Sequence, residues 1–210
     1  MFAKAPKDLT PSAYPAAVAA ILGPALADAV VAAYPCSSYK SDLGQSACWW
    51  ALAAAIRDSC FACPVQSSAA VLAGGAGGRS QAGSTYAYFY TQVLAVVEIV
   101  DLFKPYRCFH GSELPSVFDL WPALIGEGEV AMAEWFVSAW TSFAATGNPN
   151  YAGAPGTWQP FGTSAHSTLV ISTGAGGVQL NNTQQLLAGP CEFWAAHPVP
   201  ESVIWGGGRL

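Results

Sequence analysis

Charged side chains are scarce in this sequence of 210 residues: Asp, Glu, Lys and Arg together make up only 10% of it. The net charge is −5 and no basic cluster occurs, so the composition argues against a nucleic acid partner. Hydrophobic residues make up 52%, which excludes a disordered chain and is enough for a sizeable core. The apolar stretch at residues 14–34 is interrupted by Gly23, Pro24 and Asp28, so no membrane-spanning helix is predicted.

The sequence also lacks an apolar leader, because its first eight residues, MFAKAPKD, are charged and contain a proline. It does contain six cysteines, at positions 36, 48, 60, 63, 108 and 191, and an even number suits an oxidising compartment. Cys60 and Cys63 have the spacing of a CxxC motif. Because neither a second such pair nor a histidine cluster accompanies them, no metal site and no cofactor are predicted, and buried free thiols are the alternative.

The hydrophobic pattern predicts mostly helices with a few strands, in one domain. Helices are predicted at about residues 10–22, 24–33, 49–56, 127–145 and 190–196, and strands at 85–91 and 169–172. Residues 93–100 are apolar and fit a strand or a helix equally well. The helix from 127 to 145 is expected to bury an apolar stripe and to end at Gly147; the stripe consists of Met132, Phe136, Trp140, Phe143 and Ala144.

Three histidines are present, and His110 has the surroundings best suited to chemistry. It is followed by Gly111 and, after one residue, by the carboxylate of Glu113, whereas His166 and His197 are expected at the surface. A neutral imidazole can accept the proton of a serine hydroxyl at neutral pH, provided that an acidic partner fixes its tautomer. The nucleophile of such a hydrolase stands in a Gly-x-Ser-x-Gly turn, and the sequence lacks that motif: Ser84 and Ser164 have no second glycine, and no Gly-Gly-Gly oxyanion loop precedes them.

Five segments, taken in order, resemble the end of the carboxylesterase type B family, which includes the cholinesterases. They are DSCFACP (residues 58–64), FHGSELPSVF (109–118), TGNPN (146–150), WQPF (158–161) and CEFW (191–194). The resemblance covers nearly the whole chain but only about the last two-fifths of a full-length family member. It implies that residues 1–210 are the C-terminal portion of an α/β-hydrolase domain, with a few strands and an incomplete central sheet.

The resemblance also assigns roles to individual residues. It implies that His110 is the general base of a catalytic triad, and that Glu113, with Gly111 beside it, supports the site from behind. It implies a disulfide between Cys63 and Cys191, to which Cys36 and Cys48 could add a second, local bridge. The sequence departs from the family at Leu187, where cholinesterases carry an arginine that pairs with the aspartate at the position of Asp58. We therefore expect Asp58 to have another partner.

Two members of the triad are missing from the chain. In this fold the serine and the acid precede the histidine in sequence, so both belong upstream of His110. Met1 and Phe2 resemble the end of the family segment that contains the acid, which would place the catalytic glutamate just before the chain. The resemblance thus implies a carboxylic ester hydrolase that acts on a small-molecule ester in the complete protein, and an isolated chain that is inactive.

Two other functions remain open at this point. The chain could be a non-catalytic binding or adhesion module, as some family members are, or one half of a split enzyme whose N-terminal half supplies the serine. The Asn181-Asn182-Thr183 sequon fits a secreted glycoprotein. Because the strand at residues 85–91 would have an unpaired edge, the isolated chain is expected to be poorly soluble.

Overall fold

The structure is a computed structural model that describes residues 5–74, 85–95, 107–120, 127–162, 165–174 and 177–200. It contains mostly helices and one small sheet, arranged in two compact units. The first unit comprises residues 1–67 and 187–210, and the second comprises residues 68–186. None of the described helices is long and apolar enough to cross a membrane.

The first unit is helical. Its elements are α1 (Tyr14–Leu22), a 3₁₀ turn (Pro24–Leu26), α2 (Ala27–Ala33), a second 3₁₀ turn (Cys36–Ser38), α3 (Ala47–Arg57), a π-helical turn (Asp58–Ala62), the start of α4 (Cys63–Leu72) and α7 (Ala188–Ala196). Helix α1, predicted from about residue 10, begins only at Tyr14 with Pro15 in its first turn, and it ends after Leu22 as predicted, at Gly23 with φ of 99°. The hydroxyl of Ser46 caps α3 by accepting a 3.2 Å hydrogen bond from the backbone N–H of Trp49.

The second unit contains the sheet, whose strand order is β1-β2-β3. Strand β1 (Ala87–Tyr90) is parallel to β2 (Thr168–Gly174), with Tyr88 opposite Leu169, and β2 is antiparallel to β3 (Gly177–Thr183). The predicted strands at 85–91 and 169–172 are therefore confirmed, but β3 was missed. Its sequence, GVQLNNT, has only two large apolar residues, so its hydrophobic alternation is too weak to be recognised. The ambiguous segment 93–100 lies largely outside the described residues.

Helix α6 (Glu127–Thr146) packs on the sheet and supplies much of the core. The buried cluster consists of Leu94, Met132, Trp135, Phe136, Ala139, Trp158, Leu169 and Ile171. The predicted apolar stripe is confirmed at Met132 and Phe136, which are 0% exposed, but it is wrong at Phe143, which is 42% exposed, and at Ala144, which is also exposed.

The length of α6 explains the exposed end of its stripe. Twenty residues of helix extend about 30 Å, whereas the seven residues of β2 extend only about 23 Å. The last turns of α6 therefore extend past the described length of β2, although the ring of Phe143 still meets that of Tyr86 edge-to-face at 5.8 Å. Gly147 ends the helix as predicted, with φ of 75° and its N–H bonded to the carbonyl of Phe143 at 2.7 Å.

Candidate active site

His110 lies in a tight turn that is attached to the end of β1. The backbone N–H of Ser112 donates to the carbonyl of Phe109 at 2.9 Å, so His110 and Gly111 are the two central residues of the turn. Gly111 has φ of 86°, a conformation that glycine adopts without strain. The turn leads directly into the short helix α5 (Leu114–Val117), and the side chain of His110 is exposed to solvent.

A cysteine links this turn to the sheet. The thiol of Cys108 donates a 3.2 Å hydrogen bond to the carbonyl of Tyr90, the last residue of β1, and lies 3.5 Å from the hydroxyl of Ser112. Burial raises the pKa of Cys108, the nearby charge of Glu113 raises it further, and the hydroxyl of Ser112 opposes the shift. Cys108 is thus a protonated donor that positions the turn, and it is unsuited to act as a nucleophile.

Behind the turn, Glu113 is directed at the sheet. Burial raises the pKa of Tyr88 to about 12, and the adjacent carboxylate of Glu113 contributes to that shift. Because the tyrosine stays protonated, its hydroxyl can face the carboxylate as a donor. Glu113 is half-buried, and its supporting role stays a prediction.

Two buried hydroxyl groups, those of Tyr90 and Ser116, lie close together in the same region, and among the described residues neither has a hydrogen bond to a third group. Burial raises the pKa of Tyr90, an effect that the nearby hydroxyl of Ser116 partly offsets and that Cys108, Glu129 and Glu113 reinforce.

The ends of β1 and β2 are held together by polar side chains that the sequence did not single out. The side-chain oxygen of Gln92 accepts hydrogen bonds from the backbone N–H of Thr173 at 3.0 Å and from its hydroxyl at 2.7 Å. The buried carboxylate of Glu129 accepts from the backbone N–H of Ala95 at 2.6 Å. These contacts hold Gln92 and Ala95, in the described segment that follows β1, against β2 and α6.

Comparison with known protein families matches residues 15–194 to the carboxylesterase family. The chain belongs to this family. Among solved structures it is similar to EstA of Aspergillus niger, with a TM-score of 0.64 and 20% sequence identity. The match covers 92% of this chain and 37% of EstA, so the chain spans well under half the length of that relative. Comparison with curated protein sequences gives no match.

The family match and the structural similarity confirm the predicted fold class, the C-terminal part of an α/β-hydrolase with an incomplete sheet. At 20% identity the likeness to EstA establishes the fold only. The roles of His110, Gly111 and Glu113 remain predictions. His166 and His197 are half-buried, and their rings stack on Phe161 at 5.0 Å and on Phe193 at 4.4 Å. Among the residues that the structure describes, no cluster of His, Cys, Asp and Glu could hold a metal ion.

Asp58 has other partners, as the leucine at position 187 led us to expect. This carboxylate is 1% exposed; it accepts from Nε of Arg57 at 2.7 Å and from the hydroxyl of Tyr34 at 3.0 Å. The same hydroxyl accepts from Nε1 of Trp194 at 2.8 Å. Leu187 itself has φ of 61° and precedes the first turn of α7. Arg57 was within reach of sequence reasoning, since it adjoins Asp58, whereas Tyr34 and Trp194 were not.

Two disulfides occur in the first unit, Cys36–Cys48 and Cys63–Cys191. These are the local bridge that the sequence left open and the long-range bridge that the family resemblance implied. Cys60 and Cys108 are free thiols.

In the predicted glycosylation sequon, Asn181 is exposed on strand β3. The neighbouring Asn182 accepts a hydrogen bond from the N–H of Gln159 at 2.9 Å and donates one to the carbonyl of Thr157 at 2.7 Å.

Proposed function

We propose that this chain is the histidine-bearing C-terminal portion, residues 1–210, of a carboxylic ester hydrolase that works through an acyl-serine intermediate. The observation that carries the proposal is the family match over residues 15–194 together with an exposed His110 at the end of β1. In open α/β sheets, ligands bind outside the carboxyl ends of the strands. Cys108 contacts the carbonyl of Tyr90, the last residue of β1, so the turn that contains His110 lies near such an end.

In this mechanism His110 moves protons and other residues hold it in place. Its imidazole takes the proton of the serine hydroxyl as the serine attacks the ester carbonyl, then gives that proton to the departing alcohol, and finally activates the water that releases the acid. Cys108, Gly111 and Glu113 would position the turn. The serine, the oxyanion donors and the acid that orients the imidazole would come from sequence outside this chain, as would the choice of ester.

The isolated chain should therefore not hydrolyse esters. Without a nucleophile and an oxyanion hole, the proton acceptor alone loses many orders of magnitude in rate. The test is turnover of p-nitrophenyl acetate and butyrate by the purified chain and by His110→Ala, together with labelling by a serine-directed fluorophosphonate. We expect equal, background turnover and no stoichiometric label. Saturable labelling of one serine that requires His110 would show that the chain contains its own nucleophile.

A second candidate, one half of a split enzyme, is favoured by the apolar surface around α5. Leu114, Phe118 and Leu120 are 46%, 66% and 44% exposed, which is much apolar area beside a functional turn. We propose that this surface meets the nucleophile-bearing half, and that the chain alone is poorly soluble for this reason. Co-expression with the N-terminal half of a family member should solubilise it and restore hydrolysis.

His110→Ala should abolish the restored activity, and His166→Ala is the matched control that should keep it. Association that stays inactive and does not depend on His110 would instead favour the binding or adhesion module.

Two disulfides and the exposed Asn181 also support maturation in the secretory pathway. Expression in a eukaryotic secretion host should yield a glycosidase-sensitive mass that Asn181→Gln removes.

A further inference from the structure

The CxxC motif lies directly beside the long-range disulfide and is not used by the proposed ester chemistry. Cys60 is a free, partly exposed thiol in the π-helical turn Asp58–Ala62, and Cys63 begins α4. Cys63 is bonded to Cys191, which lies 128 residues further along the chain. A nucleophilic thiol is thus held three residues from one sulfur of a disulfide, within one continuous helical segment.

We propose that Cys60, Cys63 and Cys191 form a thiol–disulfide exchange site, in which Cys60 replaces Cys191 as the partner of Cys63. The thiolate of Cys60 attacks Sγ of Cys63, the Cys60–Cys63 bond forms, and the Cys63–Cys191 bond breaks. Cys191 leaves as a thiolate and takes up the proton that Cys60 has lost. One disulfide and one thiol are present before and after, so the step needs no external oxidant or reductant.

Helix geometry makes this attack feasible. Side chains three residues apart on an α-helix are neighbours, with about 5–6 Å between their Cβ atoms, whereas a disulfide needs about 3.5–4.5 Å, so the two Cβ atoms must approach by about 1–2 Å. The distance to be closed is therefore small and local. The π-helical turn that contains Cys60 departs from regular α-helix geometry, and such turns are frequent at functional sites.

The position of Cys191 selects it as the leaving group. It is the fourth residue of α7 (Ala188–Ala196), at the end of the first turn, where the helix dipole stabilises a negative charge. No side chain caps this end of the helix. Because a stabilised thiolate leaves faster, attack on Sγ of Cys63 with departure of Cys191 is favoured over attack on Sγ of Cys191.

The other free thiol, Cys108, serves as a control for exchange by a thiol that is not next to the disulfide. Cys108 lies in the second unit, and its pKa is raised by burial, so it is a poor nucleophile. After exchange, α7 would keep its non-covalent contacts, including the hydrogen bond from Trp194 to Tyr34, but it would lose its covalent attachment to α4. The site would thus act as a switch on the C-terminal segment, and this inference does not depend on the proposed esterase function.

The experiment follows the newly released thiol in the folded chain. Wild type, Cys60→Ser and Cys108→Ser are incubated without added thiol at about pH 8.5, near the ordinary thiol pKa, then quenched with acid and labelled with N-ethylmaleimide. Trypsin releases residues 58–79 as one peptide that contains both cysteines of the motif, and chymotrypsin isolates Cys191.

We expect wild type and Cys108→Ser to accumulate label at Cys191 together with a 58–79 peptide that has lost two hydrogens. Cys60→Ser should reduce the label at Cys191 by about tenfold or more, and the wild-type rate should rise about tenfold per pH unit below the thiol pKa. The proposal is overturned by no label at Cys191 in wild type, by equal label in wild type and Cys60→Ser, or by label at Cys63 with a Cys60–Cys191 bond.

Discussion

Removal of the Tyr34 hydroxyl is the sharpest test of how the first unit is held together. This single oxygen donates to the carboxylate of Asp58 at 3.0 Å and accepts from Nε1 of Trp194 at 2.8 Å. All three side chains are buried, with 5%, 1% and 6% of their surface exposed. Burial, then the charge of Asp58, raises the pKa of Tyr34, so the hydroxyl keeps its proton and remains a donor at neutral pH.

Tyr34→Phe keeps the ring and removes both hydrogen bonds. A hydrogen bond to a charged group contributes about 1.5–3 kcal/mol, and a buried donor left without an acceptor costs about 1–3 kcal/mol. Asp58 retains Arg57, which limits the loss on that side. Allowing for this, we expect the free energy of unfolding to fall by about 3 kcal/mol, a large part of the total stability of a typical domain.

Urea unfolding followed by tryptophan fluorescence, with the disulfides intact, measures this change. The midpoint should fall while the m-value stays constant. Tyr39→Phe is the matched control, because Tyr39 is a half-buried tyrosine of the same unit whose hydroxyl makes no hydrogen bond within the described residues. We expect Tyr39→Phe to lower the free energy of unfolding by less than about 0.5 kcal/mol. Equal losses in the two variants would refute the assignment of the Tyr34 hydroxyl as the common partner of Asp58 and Trp194.

Three further predictions concern the second unit and the turns. Phe136→Ala should lower the free energy of unfolding by about 3–5 kcal/mol, measured in urea, because the ring is buried. Phe143→Ala should lower it by less than about 1 kcal/mol because that ring is exposed; similar losses would contradict the burial pattern of α6. Gly111→Ala should lower the free energy of unfolding by about 1 kcal/mol, because the backbone of residue 111 has a φ of 86° that strains any side chain. Gly189→Ala should raise it by about 0.5 kcal/mol, because Gly189 lies within α7, has open space around it, and alanine favours the helix over glycine. Because the folded state raises the pKa of Tyr88 from 10.0 to about 12, the contribution of its protonated hydroxyl to the free energy of unfolding is complete below pH 10 and is lost as the pH rises towards 12. The pKa values of Tyr14, Tyr34 and Tyr90 are raised as well, so the decline in a stability–pH series should become smaller in Tyr88→Phe, and an unchanged decline would contradict the assignment.

Much of the helical framework was predictable because its signals are local. Gly23 and Gly147 mark helix ends through backbone restrictions that act within a few residues, and the helical segments at 24–33, including its 3₁₀ turn, and at 190–196 were confirmed within two residues. The start of α1 was predicted about four residues too early. Strand β3 was not predicted because its sequence is polar and its extended conformation is stabilised by pairing with β2, for example of Asn181 with Val170. Pairing is a property of two segments and leaves little trace in either one.

The candidate site shows the same division. The family resemblance identified His110, Gly111 and Glu113, and its prediction of family and fold class is confirmed by the match over residues 15–194. The supports of the turn are contacts over long sequence distances: Cys108 reaches the carbonyl of Tyr90, and Gln92 reaches Thr173 across 81 residues. No spacing rule relates such residues.

By itself, then, the sequence determined the family, five of the described helices but not α4 or α5, the presence of a histidine suited to proton transfer and the absence of the Gly-x-Ser-x-Gly nucleophile. Only the tertiary structure decided which buried polar groups satisfy one another, above all that Tyr34 and Trp194, 160 residues apart, share one hydrogen bond beside Asp58. The reason is physical: propensities and caps act over one or two turns of backbone. The partner of a buried charge is chosen by packing, after segments distant in sequence have been brought together.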